Sequence, residues 1–135
     1  MKLSKENKKK LIDEIRFVIG QMKQQEDPET KLYYFSAIFG IMPRIFNIDF
    51  NEDLIFAHFI ISSTYNNINQ RIKNPDKVIK LPDELFDRLL AITEELLVAI
   101  EKDQNLYDVL KKFTLLGYVT IGNGYYLYKK GMLKI

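Results

Sequence analysis

Between Leu11 and Met22, apolar residues recur every three or four positions at Leu11, Ile15, Val18 and Met22, backed by Ile12 and Ile19. Lys8, Lys9, Asp13 and Arg16 fall on the opposite side. That is helical spacing with one apolar face, and Ser4 offers a capping hydroxyl just before it. A first helix is predicted over about residues 4–24. Asp27-Pro28-Glu29 then combines a capping side chain, a proline suited to a first turn and an acid on the positive helix end. The second helix is predicted over 28–42, ended by Pro43. From Leu32 to Met42 only Ser36 and Gly40 interrupt the apolar residues. A helix apolar all round is expected to be enclosed all round, which makes this one central.

Asp49, followed three residues later by Glu52, reads as a capping box for a third helix over 50–72. Leu54 to Ile61 is again nearly all apolar, whereas Tyr65, Ile68 and Ile72 form a single stripe. That helix is expected to begin in the core and then leave it. Lys73-Asn74-Pro75-Asp76 is a turn, and Leu81-Pro82-Asp83 opens a fourth helix over 82–102. Leu85, Phe86, Leu89, Leu90, Leu96, Leu97 and Ile100 give it a wide apolar stripe. Asn105 caps a short fifth helix over 105–115. The period then changes. Tyr118 to Ile121 and Tyr125 to Tyr128 are strand-like runs joined by Gly122-Asn123-Gly124, so a β-hairpin is predicted over 118–134. The expected fold is mainly α, a compact bundle of about five helices closed by a C-terminal β-hairpin, in a single domain spanning 1–135.

Composition narrows the function classes. With 135 residues, 47% of them apolar, the chain can bury a real core. It has no cysteine, which excludes disulfides, thiolate metal sites and a cysteine nucleophile. The longest apolar runs, Leu32 to Met42 and Leu54 to Ile61, are about half a membrane span, so no membrane partner is expected. Met1-Lys2-Leu3-Ser4-Lys5 runs straight into charge without a signal-like apolar region, and a cytoplasmic location is expected. The net charge of +2 hides a gradient, because residues 1–25 carry seven Lys/Arg against three acids while 26–92 carry seven against ten.

No group of residues forms a recognisable catalytic, cofactor or metal site. His58 is the sole histidine and sits in the most apolar helix, which suits a core residue with one local hydrogen bond. Glu94, Glu95 and Glu101 resemble the acidic helices of MazG-family nucleotide pyrophosphohydrolases, but the acid that motif needs three residues later is Val98 here. They read as a solvated helix face. The expectation is a non-enzymatic binding protein with no cofactor and no identifiable small-molecule ligand.

Residues 93–131 resemble a winged helix-turn-helix domain. Thr93 stands where that family caps a helix, Leu96 and Ile100 where the helix meets the core, and Glu101 to Gln104 where it turns. Leu106, Leu110 and Phe113 match the buried side of a recognition helix. Leu116-Gly117-Tyr118-Val119 matches its exit, with Gly122-Asn123-Gly124 at the wing tip and Tyr126 to Gly131 as the closing strand. The resemblance implies a duplex DNA partner contacted by Lys111, Lys112, Asn123, Lys129 and Lys130. The alternative is a helical protein–protein interaction or assembly module with no nucleic-acid role, and a helix running unbroken from Pro82 to Lys102 would favour it. A homodimer is expected in either case. A hairpin leaves an edge to cover, and two all-round apolar helices need more enclosure than five helices provide.

Overall fold

Six helices account for the chain, and the computed structural model describes all 135 residues. They are α1 (Lys5–Gln24), α2 (Pro28–Phe46), α3 (Glu52–Lys73), α4 (Leu85–Glu101), α5 (Tyr107–Tyr118) and α6 (Gly122–Lys129). The first five close a ring, with α1 on α2, α2 on α3, α3 on α5, α5 on α4 and α4 back on α1. One continuous core fills it, and at its centre Phe35 of α2 and Phe113 of α5 are fully buried with ring centroids 5.9 Å apart. The mainly α expectation is met. No helix is long and apolar enough to cross a membrane.

Local signals set most helix starts. Ser4 accepts a hydrogen bond from the Asn7 amide at 3.1 Å, and Asp27 accepts one from the Thr30 amide at 3.0 Å with Pro28 following. The cap of α3 is Asn51, which accepts from the Leu54 amide at 3.0 Å, and not Asp49. The Asp49 carboxylate instead accepts from the Ser4 amide at 2.9 Å and from Asn7 Nδ2 at 3.0 Å. These bonds, the backbone one first, hold its pKa below the usual carboxylate range and fasten the start of α1 to the α2–α3 loop. Pro43 does not end α2. A proline inside a helix removes one donor, and here the last turn continues past it, with the Asn47 amide donating to the Pro43 carbonyl at 2.9 Å.

The predicted β-hairpin is absent. Residues 122–129 form α6, and the chain contains no strand. Gly122 and Gly124 do not take the positive φ that a tight hairpin turn would use; Gly131 alone among the glycines does, at φ 76°. Gly124 is buried where a β-carbon would overlap the main-chain carbonyl of Tyr118, so its role is close packing of α6 on the end of α5. The strand-like residues before it are also used differently. Val119 and Thr120 are buried, and the Arg71 guanidinium of α3 donates to the Thr120 carbonyl at 3.1 and 3.3 Å, pinning the turn between α5 and α6. Across the ring's end, the Tyr128 hydroxyl donates to the Glu84 carboxylate at 3.0 Å. Burial, reinforced by that carboxylate, raises its pKa above the usual phenol range.

The fourth helix is unbroken through Ile92-Thr93. Thr93 is fully buried and caps nothing, since its hydroxyl donates back to the Leu89 carbonyl at 2.7 Å, one turn earlier. Leu110 and Phe113 lie on the buried side of α5, and Leu106, the residue just before the helix, is buried with them.

Candidate functional site

A single ring of helices around one core gives every member an outward side. The all-round apolar sequences of α2 and α3 are therefore not enclosed as expected, and their surplus apolar residues face solvent. On α3 the inward positions Leu54, Ala57, Ile61, Thr64 and Ile68 are buried, while Ile55, Phe56 and Phe59 lie on the opposite side. Phe59 is 67% exposed. In the loop before α3, Ile48 and Phe50 are exposed too, the latter at 72%. On α2 the outward row is Tyr33, Ala37, Gly40 and Arg44.

By helical geometry Ile55 and Phe59 share one side of α3, and Tyr33, Ala37, Gly40 and Arg44 share one side of α2. The flank joining α2 to α3 is fixed by aromatic contacts, with the His58 ring edge-on to Phe39 and Phe46 at centroid separations of 6.4 and 5.7 Å. The flank joining α2 to α1 is fixed by Arg44, which donates to the Glu14 carboxylate at 3.0 Å. Phe17, one turn after Glu14 on the same flank of α1, is exposed as well. Ser36, Ala37 and Gly40 keep the middle of α2 small, between the exposed Phe17 of α1 and the exposed Ile55 and Phe59 of α3. Taking about 200 Å² for a fully exposed aromatic, the exposed parts of Phe17, Tyr33, Phe50, Phe56 and Phe59 total roughly 650 Å². Patches of that size on a single chain mark interaction sites more often than bare surface.

His58 lies beneath this face. Its Nδ1 and the Ser62 hydroxyl, one turn later, are both buried without a hydrogen-bond partner. The single local hydrogen bond expected for this histidine is not formed at Nδ1, and its ring is held by aromatic edges instead. No three His, Asp or Glu side chains come together as a metal-holding group.

The five residues assigned to DNA from the winged-helix resemblance do not form a recognition helix and a wing. Lys111 and Lys112 are exposed on α5, while Asn123 and Lys129 are on α6 and Lys130 caps its C-terminal end. The Lys112 ammonium bonds both oxygens of the Glu95 carboxylate, at 2.9 and 3.0 Å. Lys130 sits over the Tyr126 ring at 4.7 Å and Lys129 over Tyr125 at 6.0 Å. The glutamates of α4 are ion-paired in turn, Glu94 with Lys23 at 3.7 Å and Glu101 with Arg16 at 2.9 Å, as a solvated face would be. The apolar outer face was legible only as a surplus. Its signal is two consecutive helices carrying more apolar residues than one inward stripe needs.

Compared with protein-family models, with curated proteins and with solved structures, the chain matches none.

Proposed function

We propose that this is a non-enzymatic helical interaction module that pairs with a second copy of itself through the outer face of α2 and α3. The observation that carries the reading is the apolar surplus on that face, with Phe59, Phe56, Ile55 and Phe50 all turned to solvent. A second copy suits it for two reasons. The Arg44–Glu14 pair at its edge is internally neutral, so it adds no like-charge repulsion between two copies. The exposed aromatic area, roughly 650 Å², is of the order of the ~800 Å² that each partner contributes to a standard interface, and a two-fold pairing lets the same patch serve both sides.

Duplex DNA is the weaker reading. Lys112 is tied to Glu95, residues 122–129 are a helix and not a wing, and the Asp108 carboxylate lines the same cleft as Lys111 and Lys112. The unbroken α4 also favours an assembly module over a winged helix.

A dimer makes thermal stability depend on protein concentration. Raising the concentration about a hundredfold should lift the thermal midpoint of the wild type by several degrees and leave that of Phe59→Glu unchanged. A wild-type midpoint independent of concentration contradicts the proposal.

A further inference from the structure

The chain has four arginines, and three of them are matched. Arg16 pairs with Glu101 and Asp13, Arg44 with Glu14, and Arg71 with Asp76 and the Thr120 carbonyl. Arg88, on α4, has no ion pair, and its Nε is buried with no hydrogen-bond partner. The Arg88 side chain makes no hydrogen bond within the chain, so an acceptor reaching its two terminal guanidinium nitrogens from the cleft would displace no partner.

Arg88 lines an open cleft of about 500 Å³ between α4, α5 and the last residues described. Lys111 and Lys134 line the same cleft, and neither is ion-paired. Its third lysine, Lys112, is held by Glu95 at the border with a neighbouring cleft. Asp108 is the one acidic side chain in the lining and forms no ion pair, so three unmatched cationic side chains, Arg88, Lys111 and Lys134, face it and the main-chain carboxylate of Ile135. The rest of the lining is apolar, from Ile92, Leu115 and Ile135. The adjoining cleft has the opposite character, with Glu94 and Glu95 joining Asp108 in its wall. A polyanion laid along the groove would therefore meet carboxylates within a few residues of the cations. A short anion would not.

We propose that this cleft binds a small amphipathic anion, its carboxylate or phosphate head on Arg88, Lys111 and Lys134 and its apolar body on Ile92, Leu115 and Ile135. A planar guanidinium takes two oxygens of either head group at once, and the lysines add charge without fixed geometry. The volume matches that of small-molecule sites, which are mostly apolar with a few convergent polar groups. This site lies on α4 and α5, and it stands or falls independently of pairing through α2 and α3.

The test is calorimetric titration of the full chain with hexanoate and with hexyl phosphate, alongside acetate, inorganic phosphate and a short duplex DNA. One or both hexyl probes should bind with one site per chain, at least about tenfold more tightly than the same head group without its tail. Which of the two binds identifies the preferred head. Arg88→Met should weaken that binding by about tenfold or more, and Lys111→Gln by a smaller factor, with Lys129→Met unchanged. Should Arg88→Met fail to fold, the exposed Lys111→Gln together with Arg88→Lys decides the question. The proposal is overturned if neither hexyl probe binds at concentrations on the order of 10 mM, or if binding is indifferent to both Arg88 and Lys111. Tighter binding of the duplex than of either probe, lost with the same substitutions, also overturns it.

Discussion

The α-carbon of Gly124 packs against the main-chain carbonyl of Tyr118 with no room between them for a β-carbon. Backbone cannot yield as a flexible side chain can, so Gly124→Ala is expected to push α6 off α5 and cost about 1–3 kcal/mol in urea unfolding. Gly20 is the contrasting case. A β-carbon there meets nothing within 4 Å, so Gly20→Ala should stabilise α1 by up to about 1 kcal/mol through helix propensity alone. Equal effects at the two positions would show that close packing does not set the requirement at Gly124.

The same contact explains what the sequence concealed. Gly122-Asn123-Gly124 carries the composition of a hairpin turn, yet a glycine needed for positive φ and one needed for close approach look alike in a sequence. Only the three-dimensional neighbour, Tyr118, separates them. The capping residues Ser4 and Asp27, the inward stripes of α1 and α4, and the buried side of α5 were legible because they depend on residues within a turn or two. The outer face of α2 and α3 was not, because periodicity reports how many sides of a helix are apolar and not how many are covered. Arg88 was invisible for a related reason. Its lack of a partner depends on the placement of every acid in the chain.

The Ser62 hydroxyl, one helical turn after His58, is buried without a hydrogen-bond partner. Ser62→Ala removes one unsatisfied group and adds helix propensity, so it is expected to stabilise the fold by about 1 kcal/mol. Chemical denaturation of the two chains measures this. A loss of stability would mean that the hydroxyl has a hydrogen bond after all.

Asp49 makes the docking of the N-terminus depend on pH. Its carboxylate is held below the usual range by the Ser4 amide first and the Asn7 side chain second, so its pKa is lower folded than unfolded. The stabilisation is fully present above the unfolded carboxylate pKa and is lost as pH falls through the folded one. Hydrogen exchange at the Ser4 amide should therefore show protection at neutral pH that disappears on acidification below about pH 4, and that is missing throughout in Asp49→Ala. Protection unchanged across the acid limb would contradict the assignment.

Sedimentation equilibrium tests the central claim most directly, that the outer face of α2 and α3 pairs two copies. The wild type should fit a monomer–dimer equilibrium at tens of micromolar, the range in which interfaces near the standard size commonly associate. Phe59→Glu, a change at an exposed position, should remain folded by circular dichroism and sediment as a monomer. Lys129→Glu, on α6 away from that face, should dimerise like the wild type. A wild-type chain that stays monomeric at these concentrations, or a Phe59→Glu chain that still dimerises, would contradict the account.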